Sequence, residues 1–299
     1  MTSDDGGEPD EPGPEDTFAL VGNEIRAAIL RTFGDAWEAN TTRPVLSFSE
    51  LRRRVDVEVR SSQFNYHLQQ LVGQLVERTD EGYRLRLAGT ALYRAIQAET
   101  FARDAALTPF EVGLECYYCG TSVTADYRDG HFSIQCPGCE YRYLDSTRVP
   151  PSGLEDADTL LSRIDRHDRH KLLAFADGVC PICANALDRH LLASEEAAFP
   201  TTGHAEMFVF HACEHCGNQD YRTVGEAVLY RPEVICFFAD RGVDVTTLPT
   251  WELEFAATDR YLTVHATDPW EVTLRLECDG DICELTVDDE LSIIDRRDS

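Results

Sequence analysis

Apolar residues first recur at helical spacing at Phe18, Val21, Ile25, Ala28, Ile29 and Phe33. That period places them on one face of an amphipathic helix, with Asn23 as a cap. Ser47 and Glu50 stand three apart, the spacing of a capping box, and predict a short helix through Leu51 and Val55. After a turn at residues 57–60, Phe64, Leu68 and Leu71 recur at i, i+4 and i+7 and define a second amphipathic helix running to residue 72 or 74. Ser61 or Ser62 is expected to cap it. Alternation then takes over, with Val76 to Thr79, a turn at 80–82 and Tyr83 to Leu87 predicting a β-hairpin. A further helix follows over residues 89–100, with Leu92 and Ile96 four apart.

Later in the chain a helix is expected over 154–176, where Leu160, Leu161, Ile164, Leu172 and Phe175 keep the period, and another over 232–240. Residues 251–255, 261–264 and 272–276 alternate as half-buried strands, and Cys283, Leu285 and Val287 continue the pattern after a turn at 279–281.

On the helix of Phe64, Leu68 and Leu71, the residues Gln63, Asn65, His67 and Gln70 are read as pointing away from the apolar face. Amide side chains there suit base edges, because Asn and Gln pair adenine bidentately. The helix is therefore read as a DNA recognition helix. Its expected contacts are Arg60, Ser61, Ser62, Gln63, Asn65, Tyr66, His67 and Gln70, with Tyr66 and His67 equally readable as packing or phosphate contacts, joined by Arg84 and Arg86 from the hairpin. Arg52, Arg53 and Arg54 are divided between phosphate contacts and solvent.

Charge supports this placement. The formal net charge is −27, and of 27 basic residues only Lys171 is a lysine. Such an acidic, lysine-poor surface is how a halophilic cytoplasmic protein looks, because dense carboxylates keep it hydrated where salt screens repulsion. Residues 18–100, however, carry eleven arginines against ten acidic residues. This segment escapes the bias, as a phosphate-facing surface requires.

Helix, helix, helix, hairpin, helix is the winged helix-turn-helix order. The stretches 20–30, 48–51, 65–68 and 82–85 resemble the arsenic-repressor-like (ArsR-type) winged-helix regulators, in the version common in haloarchaea. The resemblance covers about eighty residues. It implies a transcriptional regulator that binds double-stranded DNA, with the helix after the hairpin pairing two chains over a two-fold site. The family's metal-sensing cysteine motif is missing, since no cysteine precedes Cys116.

Eight cysteines then fall in CxxC pairs. Cys116 and Cys119 are followed by Cys136 and Cys139, and Cys180 and Cys183 by Cys213 and Cys216. Two knuckles at such spacing place four thiolates tetrahedrally around one Zn²⁺. Two zinc ribbons with two structural ions are expected. Strands are predicted near 187–192 and 206–212 in the second, and a hairpin turn at 128–130 in the first. Cys236, Cys278 and Cys283 are read as buried apolar side chains, since a reducing cytosol disfavours disulfides.

The expected class is thus multidomain α+β. It comprises a disordered acidic tail (1–17), a winged helix-turn-helix (18–105), a zinc ribbon (106–150), a helical connector (151–178), a second ribbon (179–225) and a C-terminal antiparallel α+β module (226–299). No Gly-rich phosphate loop, GxSxG or HExxH is present, so catalysis is not expected, and no apolar run is long enough for a membrane span. Two alternatives remain. A winged helix followed by a zinc ribbon resembles the archaeal initiation factor E arrangement, which implies a basal adaptor with RNA polymerase and the transcription machinery as partner. The other is a redox or effector sensor acting through the ribbons or the C-terminal module.

Overall fold

The computed structural model describes residues 20, 22–38, 43–98, 106–128, 130–149, 157–198 and 204–299. The expected acidic tail lies outside them. The chain divides into two compact units, Met1–Phe101 and Ala102–Ser299.

In the first unit α1 (Glu24–Glu38) starts at Asn23, whose Oδ1 accepts from the backbone N–H groups of Ile25 and Arg26. The capping box forms ahead of α2 (Phe48–Arg54): Glu50 N–H donates to Ser47 Oγ, and Ser47 N–H to the Glu50 carboxylate at 3.1 Å. Next, α3 (Ser61–Leu71) buries Phe64, Leu68 and Leu71 against Ile29, Leu30, Phe33 and Leu51. Each such side chain contributes about 1.5–3 kcal/mol of burial. Ser61 and Ser62 do not cap this helix. They are its first two residues, and the cap position falls on Arg60, whose side chain makes no capping bond.

Strands β1 (Val76–Arg78) and β2 (Tyr83–Leu85) form the expected hairpin, with Glu77 opposite Arg84. Leu46 bridges to Tyr83 on the other side of β2. This crossing fixes the turn residue: Gly82 has φ +153°, and a Cβ there would sit 2.4 Å from the Leu46 carbonyl oxygen. The hairpin is shorter than expected, because the cap position of α4 (Leu87–Gln97) falls on Arg86 and Leu87 already belongs to that helix, 72% exposed. Gly89 lets α4 pack closely, since a Cβ there would lie 2.2 Å from the Leu75 carbonyl.

The second unit contains three antiparallel sheets' worth of strands. The first is β3 (Ala106–Glu115), β4 (Ser122–Arg128), β5 (His131–Gln135) and β6 (Arg142–Arg148), in sequence order. Next come α5 (Ala157–Ala176) and the sheet β7 (Asp188–Ala193), β8 (Met207–Ala212) and β9 (Gln219–Arg222). Short helices α6 (Val224–Val228), α7 (Pro232–Ala239) and α8 (Glu254–Ala257) lead into the meander β10 (Leu262–Thr267), β11 (Trp270–Cys278), β12 (Asp281–Asp288) and β13 (Ile293–Asp298).

The boundaries expected at 150 and 225 do not separate cores, and within the cores the one at 178 is crossed only by Trp251 and Ala257. One core joins the first sheet to Leu160 and Ile164 of α5 and to Trp251 and Ala257. The other joins Leu191, Met207 and Val209 of the second sheet to α6, α7 and the meander. Residues 251–255 are accordingly not a strand. Trp251 enters the first core while Leu253 and Phe255 enter the second. A strand would have aimed all three at one face, so the chain turns through a 3₁₀ helix (Thr250–Glu252) into α8.

At 20 residues α5 is about 30 Å long, and it carries buried charge. Arg222 of β9 makes two bonds to Asp168, at 2.9 and 3.0 Å, with Asp220 at 3.0 Å and Glu226 at 3.5 Å. Burial works against the Asp168 carboxylate, but Arg222 overcomes it and holds its pKa below the ordinary value. Glu226, with burial dominant, is pushed up to about 7. Removing one partner of a buried pair strands the other charge. Arg222→Ala is therefore expected to destabilise the second unit by about 3–5 kcal/mol, measured by denaturant unfolding of the full chain. A loss under 1 kcal/mol, on the order of an exposed pair, would contradict this role.

Candidate functional site

Eight cysteines converge in two groups. Cys116, Cys119, Cys136 and Cys139 form one, and Cys180, Cys183, Cys213 and Cys216 the other; within each, all sulfurs lie within 4.8 Å of one another. The shortest separations are 3.4–3.6 Å, far beyond the roughly 2.05 Å of a disulfide. Each group is positioned to bind one metal ion.

One backbone device builds all four knuckles. Each begins where a strand or bridge ends, and the N–H of its first cysteine donates to the carbonyl five residues on. The acceptors are Thr121, Tyr141, Asn185 and Asn218, at 2.8–2.9 Å. The residue four beyond that cysteine donates back to the cysteine's carbonyl and takes a positive φ, at Gly120, Glu140, Ala184 and Gly217. The first cysteine of every knuckle is buried and the second is more open, so each group closes from inside outward.

Polar groups around the sulfurs favour thiolates. Tyr143 Oη lies 3.3 Å from Cys116 Sγ and itself accepts from the Tyr117 N–H. Gly138 N–H donates to Cys136 Sγ, and a Cβ at Gly138 would meet Thr121 Oγ1 at 2.5 Å. The Thr121 hydroxyl brings the Cys119 thiol down to about 6. Asn185, through backbone and side chain, does the same for Cys183. Burial instead pushes Cys139 up to about 12. Four sulfurs per group leave no open position for substrate, so the arrangement suits a structural role. Of the remaining cysteines, Cys283 is buried, Cys278 is half-buried and Cys236 is exposed, contrary to the burial expected of it.

The other candidate surface is α3. Ser61, Ser62, Gln63, Asn65, Tyr66 and Gln70 are exposed, as are Arg60, Arg86 and, on α2, Arg52, Arg53 and Arg54. His67 is not among them. It is 8% exposed, with its ring edge-on to Tyr66, and burial holds its pKa below the ordinary value. The i, i+3, i+4, i+7 rule explains the correction: Phe64, His67, Leu68 and Leu71 are one face. The same rule places Gln69, which sequence reasoning passed over, on the open side; its amide also donates to Tyr83 Oη at 3.4 Å. Arg84 is half-exposed and its guanidinium is taken by Glu77, so part of its charge is already matched. Among the described residues no helix is long and apolar enough to cross a membrane.

Residues 113–293 match the model of a family described as a domain of unknown function (DUF7351), and residues 14–96 match that of a second such family (DUF7347). The first match covers more than half the chain, which therefore belongs to the DUF7351 family. The two matches fall on either side of the boundary between the compact units. No curated protein and no solved structure matches the chain.

The positive φ at Glu140 and Ala184 costs a non-glycine residue stability that Gly120 and Gly217 avoid. Glu140→Gly and Ala184→Gly are expected to stabilise their knuckles by about 0.5–1 kcal/mol each. Metal analysis should still give two ions per chain in both variants, against one ion in Cys180→Ser. A destabilised glycine variant would contradict the knuckle geometry.

Proposed function

We propose that this chain is a DNA-binding transcriptional regulator, with a winged helix-turn-helix in its first unit and two zinc-ribbon centres in its second. The observation that carries the reading is the outward face of α3. It presents Gln63, Asn65, Tyr66, Gln69 and Gln70 in the open while Phe64, Leu68 and Leu71 lock the opposite face into the core. Amides on a rigid, solvent-facing helix are suited to base edges in the major groove. Arg60 just before α3 and the exposed arginines of α2 supply phosphate contacts that set register. The β1–β2 hairpin is the wing, and Arg86 is its better phosphate contact, since Arg84 is engaged by Glu77. The order of elements, with Leu46 as a third strand edge beside Tyr83, supports the likeness to ArsR-type regulators.

Zinc is the metal that best suits the two cysteine groups. At a Zn–S distance of about 2.3 Å, a tetrahedral site separates its sulfurs by roughly 3.8 Å. The observed 3.4–3.6 Å contacts are close to that. All-thiolate donor sets also favour soft or borderline ions over Mg²⁺ or Ca²⁺. Such an ion contributes about 10–16 kcal/mol of binding free energy in peptide systems, enough to decide whether a small hairpin module folds.

If the intracellular salt is near molar, as the acidic composition suits, the Debye length falls to about 3 Å and phosphate attraction is mostly spent. Base contacts then carry the affinity. In chromatin immunoprecipitation at native salt, the chain is expected at discrete promoter sites, and Gln63→Ala/Asn65→Ala should lose them, at about 1–3 kcal/mol per base contact. Weak signal at most active promoters, indifferent to the variant, would instead favour a polymerase-bound adaptor.

A further inference from the structure

A cleft of about 470 Å³ opens along α5 from Leu161 to Arg169 in the second unit. Its apolar lining comes from Val112 of β3, Leu161, Pro249 and Trp251, and its polar lining from α5 and the loop after Val245. That is the size and mixed character of a small-molecule site.

Two guanidiniums set its chemistry. Arg169 is 7% exposed. Its Nε donates to both oxygens of Asp165, at 3.1 and 3.0 Å, and its Nη1 to the Val245 carbonyl at 3.1 Å. Its Nη2 has no hydrogen-bond partner. A buried guanidinium N–H without an acceptor is costly, and an acceptor entering the cleft would satisfy it. One turn earlier Arg166 is exposed on the same lining, with no ion pair among the described residues, in a chain where acidic residues outnumber basic ones 54 to 27. The neighbouring polar groups are already engaged: Asp165 also accepts from the Thr250 N–H, the Thr246 hydroxyl bonds Asp244, and the Thr247 hydroxyl bonds the Asp244 carbonyl. Glu252 also lines the cleft and sets its charge against a dianion.

We infer that this cleft binds a small organic acid, a single carboxylate on an apolar body. The carboxylate lies on the exposed guanidinium of Arg166, above the buried, unpartnered Nη2 of Arg169, and the body lies against Leu161, Pro249 and Trp251. One negative charge matches the available donors, and the planar carboxylate fits the guanidinium fork. A phosphate would bring a second charge toward Glu252 and leave the apolar wall uncovered.

The test is a ligand-observed NMR titration of the full, metal-loaded chain at high salt. Benzoate and octanoate serve as probes, with benzamide, octanamide and inorganic phosphate as controls. Arg166→Ala keeps the buried Arg169–Asp165 pair and should weaken both acids by about tenfold, the loss of one charge-assisted contact. Ser162→Trp places an indole on the cleft's exposed α5 lining and should abolish binding, while circular dichroism reports an unchanged fold. Saturable binding of the acids with no binding of the amides is the expected result. Absence of binding at millimolar acid, equal binding of the amides, displacement of benzoate by phosphate, or unaltered binding in a folded Ser162→Trp variant would each overturn the assignment.

Discussion

Four sulfurs within 4.8 Å of one another are the tightest constraint in the second unit, and it is met twice. Cysteine side chains are short, so the backbone must bring both knuckles of a group to the same place. The chain does so by ending a strand or bridge at the first cysteine and folding the next five residues into one repeated turn. The strands between knuckles then have their register set at one end. The β4–β5 hairpin joins one knuckle to the next, and β7 and β8 do the same with a longer excursion between them. Metal coordination and strand pairing are thus two expressions of one geometry.

What keeps these hairpins from being isolated modules is α5. Its first half gives Leu160 and Ile164 to the core of the first sheet. Its second half meets the other sheet through Phe175, whose ring lies 4.8 Å from that of His211, and through the Asp168–Arg222 pair. Further ties join the first sheet to residues 252–257: Tyr141 Oη donates to the Ala257 carbonyl at 2.7 Å, and Tyr117 Oη to that of Glu252 at 2.9 Å. Buried charge on such a helix is weak evidence of stability by itself. Here it fixes which face of α5 meets β9, because Asp168 and Arg222 have to find one another.

Much of the local structure was legible because its signals are local. The Ser47–Glu50 box, the Asn23 cap, the face of Phe64, Leu68 and Leu71, and the paired cysteines all act over a few residues. The misreadings have equally specific causes. His67 is polar by type, but the period of its own helix puts it inside. Residues 251–255 alternate like a strand, yet Trp251 and Phe255 serve different cores, which no short window reveals. Strands β3, β6 and β13 are edge strands of their sheets, each paired with one neighbour, and their alternation is weak. The cleft on α5 depends on loop residues some eighty positions away. The unpartnered Nη2 of Arg169 beneath it becomes visible only once Asp165 and Val245 are seen to occupy the other donors.

The first unit carries the functional claim, and its logic is a division of faces: α3 spends one side on the core and leaves amides on the other. The most direct measurement is selection of duplexes from a random pool by the purified, metal-loaded full chain at high salt. Convergence on a short sequence motif, lost when Gln63 and Asn65 are replaced, is the result that follows from base readout by α3. A selected pool no different from the starting one, or one whose motif survives those replacements, would contradict it.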